Sequence, residues 1–396
     1  MPFWNRIQSV LNERKLDALV ASSPENVSYL CDIPQVPGVV SESEVHGIAF
    51  SEGSDAVLVI PAVALDQWAQ SNSSVADVRI YGEFYYYKTH PLKYDTLSRT
   101  ERKIVDVYFA QPRPREIVEV VVDTFRERGV IKGRVGFDDR IVPASRMRLL
   151  QKKLPKIKFV PASDIFKEIR MIKSPEEIER IRKAVKATER GIQAVLGASK
   201  PGVINRELQL IYRETVMQHG CIPFFGVIGA GTESAVVNHL PSDHVLQVGD
   251  IMRIDCNAIC KNYLSDVGRN AILGPPTEKA HRIFSALRKG TAEMEHIIRP
   301  GVKCSELFRV AVSTVRQSGI ADYQRQNTGH SIGLQVVELP LISPTSSTRL
   351  REDMVIAIEA PYYELGFGAF NPEDTIRVTK NGFEKLSKME NKLYVL

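Results

Sequence analysis

The sequence predicts a mixed α/β (α+β) protein of two domains, at about residues 1–165 and 166–396, the second built around an internal duplication. Three observations lead there. At 396 residues the chain exceeds what one hydrophobic core usually organises. Its first 160 residues alternate short apolar runs with helical stretches. The segment KPGVINRELQLIYRETVMQHG, from Lys200, recurs as RPGVKCSELFRVAVSTVRQSG, from Arg299.

In the first domain, Asn5 to Leu16 carries apolar residues at helical spacing, and ALVASS follows as a short buried-strand pattern with a turn expected at Ser23 and Pro24. HGIAF, DAVLVIPA, ADVRIYG and GRVGF repeat the strand type, and REIVEVVVDTFRERG reads as a helix before the last of them. No constellation of reactive side chains stands out in this half. The run Phe84, Tyr85, Tyr86, Tyr87 has two readings: an edge strand or packed loop, or an aromatic lid over an active site, its own or a dimer partner's.

The second domain opens at a helix start. Ser174 is an N-cap, Pro175 suits the first helical position and Glu177 completes a capping box. Ile178, Ile181, Val185, Ile192 and Val195 then form one apolar stripe. In the repeat, Pro201, Gly202, Val203, Glu207, Leu208, Val216, Gln218 and Gly220 each match a residue 99 positions later. Each copy is a helix followed by a strand pair: VGDIMRIDCNAIC and YLSDVGRNAIL about a turn at Lys261 and Asn262, then REDMVIAIEAPYYE and AFNPEDTIRV about Gly366 and Gly368. Two such units should pack about a pseudo-two-fold axis.

Composition excludes several classes. With 43% apolar and 25% charged residues the chain can bury a sizeable core, and a formal charge of +5 is too mild to indicate a nucleic-acid partner. The opening MPFWNRIQSVLNERKLDALV lacks the apolar run of a signal peptide, and no stretch is long enough to span a membrane. Five scattered cysteines, an odd number without paired short spacings, point to a reducing compartment and a cytoplasmic location. Cys256 and Cys260 lie in an apolar strand pattern and read as packing rather than as metal ligands.

Each hairpin carries an acid on both strands, Asp255 and Asp266 in the first, Glu359 and Glu373 in the second. Burying four carboxylates together is untenable without compensating cations, and two divalent ions would compensate them. His330, in NTGHSIGL, adds an imidazole, and its neighbouring glycines would let backbone approach the ions. Oxygen-rich ligation with one imidazole suits Mn, Co, Zn or Fe and argues against a thiolate zinc site.

On these residues the second domain resembles the pita-bread fold of the superfamily containing creatinase, prolidase and methionine aminopeptidase. IRMIKSPEEIERIRKA is similar to the opening helix of its Xaa-Pro dipeptidase and aminopeptidase P branch, and IDCNAICKNYLSDVGR, GHSIGL, VIAIEAP and PEDTIRVT follow the family pattern in order. The resemblance covers essentially the whole chain, including a creatinase-type N-terminal domain. It implies that Asp255 chelates one ion, that Asp266 and Glu373 bridge both, and that His330 and Glu359 complete the other. It further implies two divalent ions, manganese first, a hydroxide between them as nucleophile, a proton-transfer role for Glu359, and a homodimer. His239, in VVNHLPSDH, falls where the family has a histidine that stabilises the tetrahedral intermediate or the leaving nitrogen; His244 has no such support.

Two departures bear on substrate. Prolidase and aminopeptidase P relatives usually carry a second histidine seven residues after the metal histidine, where this chain has Val337, and commonly an arginine two residues before the final glutamate, where it has Asn371. With His239, these positions are the expected substrate contacts. Loss of an imidazole and a guanidinium should change leaving-group handling and anion binding. Hydrolysis of a C–N bond in a peptide or peptide-like amide ranks first. A small-molecule C–N hydrolase, of the ectoine hydrolase or creatinase kind, or a lyase of the same superfamily, ranks second. A non-catalytic peptide-binding module is the alternative of another class.

Overall fold

The computed structural model describes residues 4–34, 45–53, 55–112 and 115–396, so residues 1–3 of the opening segment lie outside it. The chain divides into two compact units, 1–169 and 170–396.

The first unit contains α1 (Trp4–Arg14), β1 (Ala18–Ala21), α2 (Pro24–Cys31), β2 (His46–Phe50), β3 (Ala56–Pro61), α3 (Leu65–Gln70) and β4 (Asp77–Tyr81). It continues through α4 (Arg99–Tyr108), α5 (Ile117–Glu127), β5 (Gly133–Phe137), α6 (Ala144–Lys153), β6 (Ile157–Pro161) and α7 (Ser163–Met171). Its six strands form one mixed sheet in the order β4-β3-β2-β1-β5-β6. The core is mostly aliphatic: Val20, Ile48, Val57 and Val135 from the strands meet Val118, Val121 and the aromatic Phe125 of α5. Ser23 and Pro24, expected as a turn, instead open α2 as N-cap and first helical residue, the position where proline's missing N–H costs nothing. In the aromatic run, Phe84 and Tyr86 pack edge-on to each other and Tyr86 edge-on to Tyr108, with ring centroids 5.0 and 4.9 Å apart, while Tyr85 and Tyr87 are exposed. Packing therefore accounts for two of the four rings.

The second unit contains α8 (Pro175–Ala198), α9 (Asn205–Gln218), β7 (Ile222–Ala230), β8 (Ile251–Cys260), β9 (Tyr263–Leu264), β10 (Val267–Ile272), α10 (Glu278–Ile297) and α11 (Cys304–Gln317). Then come β11 (Gly329–Ser331), β12 (Glu338–Leu341), β13 (Val355–Glu359), β14 (Tyr362–Glu364), β15 (Gly368–Phe370), β16 (Glu373–Thr379), β17 (Gly382–Lys385) and β18 (Leu393–Val395). The capping box at α8 is made: the Glu177 N–H donates to Ser174 Oγ at 3.2 Å, and the Ser174 N–H donates to the Glu177 carboxylate at 2.7 Å. The expected stripe from Ile178 to Val195 is buried.

The sheet runs β12-β11-β13-β16-β10-β8-β7. It is symmetric about the β16/β10 contact, each hairpin lying outward of it and each helix pair, α8 with α9 and α10 with α11, packing together. The duplication is visible in detail: Ile204 bridges Val245 ahead of α9, and Lys303, 99 positions on, bridges Arg349 ahead of α11. Lys261 and Asn262 both take positive φ, 48° and 73°, as a two-residue hairpin turn between antiparallel strands requires. The second hairpin differs from its expected form. Pro361 and Pro372 cannot donate to a ladder, and between them the chain leaves the main sheet as the separate β14-β15 pair.

Candidate metal centre

Strand register lines up the acids. Asp255 on β8 lies opposite Gly268 on β10, Gly268 opposite Glu373 on β16, and Glu373 opposite Glu359 on β13, one transverse row over four strands. Gly268 makes the row possible, because a Cβ there would sit 2.5 Å from the Asn371 carbonyl oxygen and 2.9 Å from Glu373 Cβ. Asp266 precedes β10 by one residue, and His330 enters from β11, opposite Ala357 of β13. Gly329 serves the sheet rather than the site. At φ +137° it passes so close to the Ala357 carbonyl that any side chain would collide.

Asp266, His330 and Glu373, all buried, bring one ligand atom each within 4.8 Å of one another. His330 Nδ1 lies 3.2 Å from the Ser331 carbonyl oxygen, which can only accept, so the proton belongs on Nδ1 and the Nε2 lone pair faces Asp266 Oδ2 at 3.7 Å. Asp266 Oδ1 accepts from the Asn257 amide at 2.7 Å. The Asn371 amide joins the two hairpins, donating to Asp255 Oδ2 at 3.3 Å and to Glu373 Oε2 at 3.1 Å.

The electrostatics are those of a site built for added positive charge. Burial pushes the Asp266 carboxyl well above the usual carboxylate range, and Asp255 and Glu359 push it further. Glu373 is driven up in the same way, by burial and then by Asp266, Asp255 and Glu359. Glu359 is raised by burial although His330 and Arg325 oppose it. Among the described residues, the His330 imidazole is the one basic group within ion-pair reach of Asp266, and none reaches Glu373. Two buried acids, Asp266 and Glu373, beside the half-buried Glu359, with so little compensation, one correctly presented imidazole and no thiolate fit hard to borderline divalent cations. Cys256 and Cys260 are buried free thiols outside this group.

His239 is buried, with Nε2 3.1 Å from the Glu233 carboxylate, while its Nδ1 is buried without a partner. Glu233 also accepts from Ser242 Oγ at 2.6 Å. His244 is bonded to Asp250 at 2.7 Å, a local structural contact. Val337 is half exposed at 53%, whereas Asn371 is buried and its amide is spent on the carboxylates of Asp255 and Glu373. Sequence reasoning missed Glu233, Asn257, Arg253 and Tyr363. The guanidinium of Arg253 donates to Asp255 and stacks 5.2 Å from the Tyr363 ring centroid, with Arg325 5.6 Å from the same ring. It also missed the support behind His330: Lys173 donates to Ser331 Oγ at 3.0 Å and to Glu338 at 3.1 Å, and Arg170 lies 3.3 Å from the same carboxylate.

A symmetric sheet carrying a row of buried and half-buried carboxylates and an imidazole is the framework of a metal-dependent hydrolase. The pattern of "Metallopeptidase family M24" matches residues 179–380, more than half of the chain, and that of "Creatinase/Prolidase N-terminal domain" matches residues 4–172. The chain belongs to metallopeptidase family M24 and has its pita-bread fold. It is 25% identical to an Xaa-Pro dipeptidase of Pyrococcus furiosus over 98% of both chains. It is 31% identical to an Xaa-Pro dipeptidase of Pyrococcus horikoshii over 64% of this chain and 72% of that one. Among solved structures, an Xaa-Pro dipeptidase from Bacillus anthracis superposes with a TM-score of 0.81 at 20% identity, covering 100% of this chain and 99% of that one.

Proposed function

We propose that the chain hydrolyses the C–N bond of a small peptide or peptide-like amide, Xaa-Pro dipeptides first, using two divalent ions held by Asp255, Asp266, His330, Glu359 and Glu373. The observation that carries this reading is the four-strand row in which Asp255, Glu373 and Glu359 face one surface beside Asp266 and His330. Asp255 is assigned to one ion, Asp266 and Glu373 to both, His330 and Glu359 to the other. Manganese is the first choice, with cobalt, zinc or iron as alternatives, because the donors are mostly carboxylate oxygens. When bound, such ions supply Lewis acidity toward a carbonyl and make a water acidic enough to act as a nucleophile near neutral pH.

The side chains handle protons and charge. Glu359 is the proton carrier. His239 donates from Nε2 to the Glu233 carboxylate, so its Nδ1 can donate toward the developing oxyanion or the leaving nitrogen only in the doubly protonated imidazolium form. We assign catalysis to residues 166–396 and a creatinase-like accessory domain to 1–165. A homodimer is supported by the exposed Ile222, Phe224 and Phe225 on the edge strand β7, and a cytoplasmic location by five free cysteines.

A second reading, a small-molecule amide or amidine as substrate, is favoured by Val337 and Asn371, since no imidazole or guanidinium stands at either position. The test is reconstitution with Mn or Co, metal counting, and assay of Xaa-Pro dipeptides and longer Xaa-Pro peptides against cyclic amides, guanidino acids and sulfonium compounds. About two ions per chain are expected. Less than one ion sinks both readings, and metallated protein inactive on every prolyl peptide selects the second. Val337→His should then raise prolyl dipeptide turnover by about tenfold or more, a fraction of what a positioned general acid contributes. No gain would show that Val337 does not determine specificity.

A further inference from the structure

Arg253 lies two residues before Asp255 on β8, so both side chains leave the same face of the strand. It is fully buried, yet its guanidinium is nearly saturated. Nη1 donates to Asp255 Oδ2 at 3.2 Å, Nε to the Ser234 carbonyl at 2.9 Å, and Nη2 to the carbonyls of Val236 and Val237 at 2.7 and 2.9 Å. Four of its five N–H donors are thereby used. Tyr363 lies 5.2 Å from the guanidinium carbon and closes off one side of it.

A buried guanidinium needs a carboxylate partner, and Asp255 is the one Arg253 bonds to among the described residues. The pairing fixes the acid in return. Asp255 Oδ2 accepts from both Arg253 and Asn371, which leaves Oδ1 as the oxygen with no protein donor among the described residues. The remaining three bonds clamp residues 234–237, the segment that leads directly into His239. Val236 and Val237 are themselves exposed, so burial of their side chains does little to hold this segment.

We propose that Arg253 is a positioning residue that ties the Asp255 carboxylate to the 234–237 backbone and so fixes His239 relative to the metal ligands. The inference rests on the functional reading above. It also sets a limit on substrate recognition: with four of its five donors spent inside the protein, Arg253 cannot offer substrate a bidentate anion-binding fork. A simple charge role and a positioning role differ in what lysine can do. Lysine keeps the charge, but its three donors radiate from one nitrogen and cannot reach Asp255 and three carbonyls at once.

The test compares wild type with Arg253→Lys and Arg253→Met in three measurements: Mn titration, steady-state kinetics on the best substrate, and amide hydrogen exchange of 234–239 in metal-free protein. Both variants should bind Mn about 10- to 100-fold more weakly, as loss of a group that orients a metal ligand does. Their kcat should fall by about tenfold or more with KM within twofold, and exchange across 234–239 should rise at least about fivefold, because an unclamped segment opens more often. Arg253→Lys with wild-type exchange and kcat overturns the proposal even if Arg253→Met fails to fold. A Tm drop in either variant with Mn affinity and kcat unchanged also overturns it. Wild type holding less than one ion per chain overturns the functional reading itself, while metal-replete wild type with unaffected variants overturns only the role of Arg253.

Discussion

Asp138 in the first unit and Glu373 in the second are both buried carboxylates, but one is surrounded by donors and the other by acids. Asp138 Oδ2 accepts from the backbone N–H of Ser22 and Ser23, from Ser23 Oγ at 2.6 Å and from the Asn26 amide at 2.7 Å, and its Oδ1 accepts from Ser163 Oγ at 2.8 Å. Burial raises its pKa, and these bonds more than reverse that, holding the carboxyl below the usual range. Glu373 accepts from the Asn371 amide and faces Asp266, Asp255 and Glu359, so burial and charge push it the same way, up. Burial therefore does not distinguish a structural acid from one proposed to bind metal. The count of donors does.

The largest expected effect breaks the comparison at the metal end. Chelation should lower activity by about a thousandfold or more, because Lewis-acid stabilisation is worth several kcal/mol and each 1.4 kcal/mol is tenfold. Calorimetry should show the second unit losing about 4 kcal/mol for each ion previously held at a thousand times its Kd. Glu373→Gln should reproduce the loss of activity, whereas Asp138→Asn should leave the activity of folded protein unchanged. Chelated protein retaining a tenth of its turnover would show that these acids serve some other purpose.

Glu338 is a third kind of buried acid, neutralised neither by hydrogen bonds alone nor by added cations. Burial raises its carboxyl, and Lys173 and Arg170 overcome this and hold it below the usual range. Lys173→Met should cost about 3 kcal/mol, the low end for breaking a buried pair, since Arg170 remains. Urea unfolding of the second unit measures it. If the penalty comes from the stranded charge, adding Glu338→Leu should recover part of it. A double variant as unstable as the sum of the two singles would assign the loss to packing instead.

How far the sequence reaches can be judged from particular residues. What the sequence offered was four acids in apolar strands of a repeated unit, a pattern that alternation alone does not produce, and strand register sets Asp255, Glu373 and Glu359 of them in one row. The capping box at Ser174 was legible because an apolar stripe followed it. The same Ser-x-x-Glu signature at Ser98 and Glu101 opens α4 with the box fully formed, and although Ile104, Val105 and Tyr108 follow at helical spacing, the stripe is short and only Tyr108 of that helix is buried. Arg253 could have been found: a basic residue two positions from the candidate ligand Asp255 on one strand must share its face. Glu233 and Tyr363 could not, since their roles depend on how a short loop and a projecting hairpin fold back, and neither has a period to read.

The smallest expected effect tests the donor side of the comparison and carries a defined pH dependence. Asp138→Asn should cost about 1–3 kcal/mol at pH 7, the range for disturbing a buried, fully bonded polar group. Both tryptophans, Trp4 and Trp68, lie in the first unit, so their fluorescence during urea unfolding reports that unit alone. The native carboxyl of Asp138 sits below its unfolded value, so its stabilisation is complete above the ordinary aspartate pKa of about 4. Stabilisation is then lost as pH falls toward the lower native value, because the unfolded chain takes up the proton first. The gap between wild type and variant should therefore be constant from pH 7 to 5 and narrow below about pH 4. A gap that stays level into acid would mean that the amide disturbs packing rather than charge. In that case the contrast between Asp138 and Glu373 would rest on Glu373 alone.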